Sequence, residues 1–349
     1  MPKKKIKVLF HGFGRIGRSI FRKIISDKKF DIVGINEINP DPENVAYTHN
    51  YSSLVLSNPK KYGTLKFKNK KFYINKTSLN YHNFSEVGDL HKIKDNYDVI
   101  IDTTGRGDNG KAWRSFIKSK KNIKVLFTFH HPISEFLMVI GANEKKYEKK
   151  FRLISSSICD VVAIAPYLKI IDHHFKIIGG HITTVHPVLS YQNLLSNKSI
   201  SWNSPGNTYS HYALGRAAIN NLIPKPTSVL KTMKPSIDTF NTDVLRCFSY
   251  RVPTQIVGSS DINLILKKKF SIKDINKIIE KESKKQKYKI FSTNNEPKVS
   301  LDYFNDEHSL IYDMPWSSKT GNLFHSVIWY DNENGYSSRV VDNLKLMFK

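Results

Sequence analysis

The chain has 349 residues, with 55 Lys or Arg against 30 Asp or Glu, a formal net charge of +25 at pH 7. Forty per cent of the residues are hydrophobic, which excludes disorder throughout, and no run reaches the ~18–20 apolar residues of a membrane span. At about 100–200 residues per domain the length suggests roughly two domains. The two cysteines, Cys159 and Cys247, make no disulfide framework, and no signal-peptide apolar stretch opens the chain, so a reducing, cytoplasmic setting is expected.

In chain order, Ile6–Phe10 reads as a buried strand, 11–14 as a glycine turn and Ile16–Ile25 as an amphipathic helix. A second strand follows at Asp31–Asn36, then two apolar, β-branched runs at Tyr97–Asp102 and Lys124–Thr128, with a helix expected between them over Gly107–Lys121. Strands alternating with helices predict a parallel, doubly wound α/β sheet in the first 150 or so residues. After a strand-like Phe151–Ile154, Ala163–Phe175 has helical spacing. Longer strand-like stretches then lie at Phe175–Val188, Leu245–Val252 and Asp261–Lys267, a Lys-rich surface helix at Ser271–Lys285 and a last helix at Glu333–Lys349. This texture predicts an α+β second domain built on a mixed sheet.

The lysines are spread along the chain, with short clusters at Lys3–Lys5, Lys267–Lys269 and Lys284–Lys285. A basic stripe would point to nucleic acid. Diffuse enrichment points instead to attraction of small anions, so no nucleic acid and no membrane is expected as a partner.

Gly12-Phe13-Gly14-Arg15-Ile16-Gly17 fits G-x-G-x-x-G. It follows a strand and opens a helix, where backbone N–H groups can approach a pyrophosphate at the helix N-terminus. Glu37 lies twenty residues beyond Gly17 at the end of the second strand. A carboxylate there can accept hydrogen bonds from ribose hydroxyls and would repel a 2′-phosphate, so a Rossmann domain binding NAD rather than NADP is expected. Cys159, in Ser155-Ser156-Ser157-Ile158-Cys159, lies where a strand-like segment meets a helix, and the helix dipole there favours thiolate. His186 ends a strand-like run, Thr183-Thr184-Val185-His186. Taken alone, each reads equally as a buried structural residue, because pairing a nucleophile with a base requires geometry. No metal site is expected.

The stretch His11–Arg18 resembles the N-terminal fingerprint of the phosphorylating glyceraldehyde-3-phosphate dehydrogenase family, which usually has Asn at the place of His11. The likeness continues in order. Ser155–Pro166 resembles that family's nucleophile segment and Thr183–His186 its histidine segment. Gly215–Pro224, Arg251–Thr254 and Trp329–Glu333 with Gly335-Tyr336 complete the set. The resemblance implies an NAD-binding domain over 1–158, a catalytic domain over 159–332 and a terminal helix, 333–349, packing back on the first. It implies that Cys159 attacks an aldehyde and that His186 pairs with the thiolate and takes the proton. By the same resemblance Gly12, Phe13, Gly14, Arg15, Ile16, Gly17, Glu37, Thr104, Thr128, Asn332 and Tyr336 would contact the cofactor and Arg251 the substrate's phosphate, in a homotetramer.

The departures cluster at the chemistry. That family usually follows its nucleophile with Thr-Thr-Asn-Cys, whereas Asp160-Val161-Val162-Ala163 follow Cys159. The threonine at the place of Asp160 helps to bind inorganic phosphate. A carboxylate there would repel it by roughly 3–4 kcal/mol at ~4–5 Å and an effective dielectric near 20. Leu189 and Tyr191 stand where two threonines normally meet the substrate's phosphate. Thr227 and Lys231 match a second phosphate-binding loop, in which Ser228 replaces glycine. Erythrose-4-phosphate dehydrogenases, a close branch, also lack the paired threonines and release their acyl group to water, and the run from Ser300-Leu301-Asp302 to His308-Ser309 is similar to theirs. They keep the usual residues after the cysteine.

The expectation is an NAD-dependent aldehyde dehydrogenase acting on a small phosphorylated or anionic aldehyde through a Cys159 thiohemiacetal and thioester, released by water. The alternatives are ordinary phosphorylating glycolytic activity, an erythrose-4-phosphate dehydrogenase, and a non-catalytic NAD- or RNA-binding descendant. The segment Leu194–Tyr212 carries no motif of that family by which to align it.

Overall fold

The computed structural model describes residues 5–52, 62–201 and 207–349. Lys3, Lys4 and residues 202–206, part of the segment Leu194–Tyr212, lie outside the described residues. The chain divides into two compact units. The first comprises Met1–Leu137, Tyr147–Ser156 and Leu344–Lys349, the second Met138–Lys146 and Ser157–Asn343.

The first unit is an α/β sheet. Its elements are β1 (Ile6–His11), α1 (Arg15–Ile24), β2 (Phe30–Asn36), α2 (Pro42–Asn50), β3 (Lys66–Lys68), β4 (Lys71–Ile74), β5 (Thr77–His82), β6 (Val99–Asp102), α3 (Gly110–Ser119), β7 (Lys124–Phe127), β8 (Phe136–Leu137) and β9 (Leu153–Ser155). The strand order is β3-β4-β5-β2-β1-β6-β7-β9-β8. The pairs β2/β1, β1/β6, β6/β7 and β7/β9 are parallel, while β3/β4 and β4/β5 are antiparallel. The chain order reverses at β1, so the carboxyl ends of β1 and β6 flank a topological switch point, where open α/β sheets place their ligands. Beneath them Trp113, Phe116 and Phe127 are fully buried with Leu9, Ile100 and Val125, and each such Phe stabilises by roughly 1.5–3 kcal/mol.

The second unit carries α4 (Cys159–Phe175), β10 (Ile177–Pro187), β11 (Ile223–Lys225), α5 (Val229–Met233), β12 (Leu245–Val252), β13 (Gly258–Leu266), α6 (Ile272–Lys285), β14 (Phe291–Asn294), β15 (Leu310–Thr320), β16 (Leu323–Tyr330) and most of α7 (Asn334–Met347), whose residues from Leu344 onward fall in the first unit. Its strands run β11-β12-β10-β13-β16-β15-β14. The pairs β10/β12 and β14/β15 are parallel and the others antiparallel, the mixed sheet of an α+β unit. Helix α4 is apolar nearly all round, burying Val161 to Leu168, Ile171 and Phe175, as a core helix must. No helix of the described residues is long and apolar enough to cross a membrane.

Candidate active site

The glycine turn at the end of β1 is shaped by one hydroxyl. Gly12 has φ +87°, and a Cβ there would meet Thr103 Oγ1 at 3.0 Å; a Cβ on Gly17 would meet the same atom at 2.8 Å. Thr103 Oγ1 in turn donates to the Gly12 carbonyl at 2.7 Å. Gly14 has open space where its Cβ would be, and it caps α1 with no side-chain bond to the first-turn N–H groups. Glu37 Oε2 accepts from the Phe13 N–H at 2.5 Å and Oε1 from the Asn39 N–H at 3.3 Å, which fixes the carboxylate beside the turn. An open backbone face, uncapped helical N–H groups and an oriented carboxylate fit a dinucleotide. Arg15 and Ile16 open α1 half-buried, and Phe13 is buried. Thr104 and Thr128, at the ends of β6 and β7, both turn to Asp102: Thr104 Oγ1 donates to its carboxylate at 2.7 Å and Thr128 Oγ1 to its carbonyl at 3.1 Å.

In the second unit the chain reaches Cys159 through Ser157, whose φ of +63° makes a sharp turn, and Cys159 is the first residue of α4. The His186 side chain comes from the end of β10, and Sγ lies 3.4 Å from Nε2. His186 Nδ1 donates to the Pro187 carbonyl at 2.7 Å. That carbonyl can only accept, so Nδ1 carries the hydrogen and neutral His186 presents a lone pair at Nε2 toward the sulfur. The β10/β12 register sets Arg251 beside His186. Arg251 is buried, and its Nε has no hydrogen-bond partner.

Asp160 is buried next to the nucleophile. Its Oδ1 lies 3.8 Å from Cys159 Sγ and accepts from the Tyr330 hydroxyl at 2.6 Å. Burial and then the Asp160 charge push the Cys159 thiol well above its ordinary value; Arg251 and the N–H groups of the first helical turn pull the other way without prevailing. Burial and then Arg251 bring His186 down to about 4, against Asp160 and the Pro187 carbonyl. Helix position alone favours thiolate, and the resemblance implies a thiolate–imidazolium pair. The structure favours the neutral thiol and imidazole, because burial disfavours both charges and Asp160 adds to the cost at sulfur.

Sequence reasoning missed four contributors. Lys225 ends β11 opposite Ser249, and burial, then Arg251, lower it to about 8 while Asp160 and Cys159 act to raise it. Tyr330 holds Asp160, Ser157 turns the chain and Thr103 shapes the glycine turn. A lysine two positions before Thr227, and a tyrosine on the strand leading to Asn332, were the available signals. Of the expected contacts, Asn332 Oδ1 accepts from the Val257 N–H at 3.0 Å and the Tyr336 hydroxyl donates to the Ser157 carbonyl at 3.2 Å. Thr227 Oγ1 accepts from the Val229 N–H at 3.3 Å, and Ser228 is exposed ahead of the short α5. Leu189 and Tyr191 follow β10, where the Leu189 N–H donates to Gln192 Oε1 and Tyr191 packs on Tyr209.

Family models match over both units. The glyceraldehyde 3-phosphate dehydrogenase NAD binding domain matches residues 6–109 and the C-terminal domain of the same enzyme residues 158–332. Curated relatives include the cytosolic glyceraldehyde-3-phosphate dehydrogenase of Sinapis alba, 30% identical with 100% of both chains covered. The glyceraldehyde-3-phosphate dehydrogenase of Buchnera aphidicola is 30% identical over 98% of each chain, and glyceraldehyde-3-phosphate dehydrogenase 1 of Schizosaccharomyces pombe 30% over 96%. Fold and matches together define an NAD-dependent oxidoreductase acting on an aldehyde group. The chain belongs to the glyceraldehyde-3-phosphate dehydrogenase family.

Proposed function

We propose that this chain oxidises a small anionic aldehyde through Cys159 and releases the acyl group to water rather than to inorganic phosphate. The observation that carries this reading is the buried Asp160 carboxylate, 3.8 Å from the nucleophile and fixed by Tyr330. Gly12 to Gly17 and Glu37 would hold NAD, which when bound accepts a hydride.

The chain's own residues account for the proton movements. Sγ of Cys159 adds to the aldehyde carbon as its proton passes to His186 Nε2, whose lone pair already faces the sulfur. His186 returns that proton to the new oxyanion to complete the thiohemiacetal, and receives it again as the carbon is oxidised to the thioester. His186 then gives its proton up to solvent, and water attacks the thioester carbon and breaks the C–S bond, one water proton reaching sulfur and the other remaining on the acid product. Arg251, with its unpartnered Nε, and Lys225 supply positive charge for the substrate's anion in place of the two threonine hydroxyls that Leu189 and Tyr191 replace. A homo-oligomer in a cytoplasmic setting completes the reading.

The test follows NAD reduction with glyceraldehyde-3-phosphate and erythrose-4-phosphate, with and without inorganic phosphate. Phosphate is expected to change the rate less than about twofold, and Asp160→Thr to create a phosphate requirement by relieving a repulsion of roughly 3–4 kcal/mol. A saturable phosphate requirement in the unaltered chain would overturn hydrolytic release and assign the ordinary phosphorylating reaction.

A further inference from the structure

We propose that Cys159, Asp160 and His186 form a three-ligand site for one thiophilic divalent cation, with zinc as the metal of choice. Neither residue type nor spacing announces it, because Cys159 and Asp160 are adjacent while His186 arrives from another element. The fold brings one donor atom from each to within 4.8 Å of the others.

The spacing suits coordination. Bond lengths of about 2.3 Å to sulfur and 2.0–2.2 Å to nitrogen or oxygen place tetrahedral ligand atoms about 3.3–3.6 Å apart. Sγ lies 3.4 Å from His186 Nε2 and 3.8 Å from Asp160 Oδ1, and the His186 and Asp160 donors lie within 4.8 Å of each other, so an ion could be taken up once the carboxylate swings toward the imidazole by about an ångström. The donor set of thiolate, imidazole and carboxylate selects zinc over magnesium or calcium, which prefer oxygen alone.

The supporting contacts also match those of a metal centre. His186 donates from Nδ1 to the Pro187 carbonyl, which leaves Nε2 free of hydrogen, and the Tyr330 hydroxyl orients the Asp160 carboxylate. Such outer partners fix ligand direction and tautomer. Binding exchanges the Cys159 S–H proton for the metal: that proton leaves to solvent, an S–Zn bond forms and nothing is oxidised or reduced. Two anionic ligands then balance the dication, so Arg251 and Lys225 face a site of no net charge. Three protein ligands leave one position open.

Asp160 is the decisive member. Without it the pair offers two donors, and the family's usual threonine would supply none of comparable strength. The site therefore belongs to this chain's departure from the family pattern and stands whether or not the acyl group goes to water. Its occupation blocks the nucleophile, so metal binding and aldehyde attack exclude each other.

The experiment titrates the full-length chain, freed of metal by a chelator, with cobalt(II) and follows absorbance, then displaces cobalt with zinc. One equivalent should produce a thiolate-to-cobalt charge-transfer band together with tetrahedral visible bands. Asp160→Asn and Asp160→Thr should each weaken binding by about 100-fold, Cys159→Ser should abolish the charge-transfer band, and Cys247→Ser should leave both unchanged. One equivalent of zinc should also protect Cys159 of the unaltered chain from iodoacetamide, as read by peptide mass spectrometry, a readout that needs no variant to fold. Absence of the band, affinity unchanged in the Asp160 variants, or alkylation of Cys159 undiminished by zinc would overturn the proposal.

Discussion

The charges that meet at Cys159 come from single residues, and each has a measurable consequence. Burial and then Asp160 raise the thiol against Arg251, burial and then Arg251 bring His186 down to about 4, and burial and then Arg251 lower half-buried Lys225 from an ordinary 10.5 to about 8. Below about pH 8 Lys225 is cationic; above it the charge is lost. A bound anion favours the charged form, so the KM for an anionic aldehyde is expected to rise as pH passes upward through about 8, while glyceraldehyde, which carries no charge, shows no such step. Lys225→Met should raise that KM at pH 7 by about tenfold, equivalent to ~1.4 kcal/mol, and remove the step with little change in kcat. Steady-state kinetics from pH 6.5 to about 9.5 with both aldehydes decide it. An unchanged KM in the variant removes Lys225 from the substrate's anion site.

At the scale of elements, the join between α1 and α2 stores an acid sensitivity. The His49 ring on α2 packs against Phe13 and Phe21 and its Nδ1 has no hydrogen-bond partner. Burial, and after it Arg22 and Arg18, depress it from 6.5 to about 3. Between those values the unfolded chain binds the extra proton, so stability is full above about 6.5 and falls as pH drops through that window. The loss is about 1.4 kcal/mol per pH unit, or roughly 2 kcal/mol at pH 5. His49→Leu keeps an apolar filling and cannot protonate. Its urea midpoint should fall less between pH 7 and pH 5 than that of the unaltered chain, and equal falls would exclude His49 as the source.

The same scale shows what could be read in advance. Leu245–Val252 was legible as a strand from its aromatic and β-branched residues, although β12 buries the polar Ser249 and Arg251, and the glycine turn was legible because Gly12 must take a positive φ. Helix α4 starts four residues before the Ala163 at which its apolar spacing begins; Ile158 offers no polar cap, so its first turn is marked only by the junction at Cys159 and the acidic Asp160. Strands β3 and β4 carry exposed lysines on one face and are too short for a periodic signal. The pairing of Cys159 with His186 depends on β10 ending beside α4, and Asp160's contact with Tyr330 spans 170 residues. Residue identities announced the chemistry, whereas the charge balance that favours a neutral pair is set first by burial, with Asp160 adding to it at sulfur and Arg251 at the imidazole.

For the whole molecule, exposed apolar side chains and the net charge pull in opposite directions. In the second unit Leu194, Leu195, Tyr212 and Leu222 are 65–78% exposed, more apolar surface than scattered exposure accounts for if it is gathered into one patch. In the homo-oligomer proposed above, another copy of the chain would cover it. Yet each copy carries +25, so bringing copies together costs repulsion that salt screens, with a Debye length of about 8 Å at 0.15 M and 30 Å at 0.01 M. Burial of apolar surface favours association at every salt concentration, while repulsion opposes it chiefly in dilute salt. The oligomer should therefore tighten as salt rises, the reverse of the response of a lysine-rich surface holding nucleic acid, which weakens steeply as counterions are no longer released with profit. Sedimentation or light scattering at a fixed protein concentration, from about 0.02 to 0.5 M NaCl, reads the direction. Leu195→Asp together with Leu222→Asp should shift the population toward smaller species at every salt concentration without abolishing the cooperative unfolding transition. Dissociation on raising salt would mean that the interface is held by charge, and an unchanged mass in the double variant would show that these leucines face solvent.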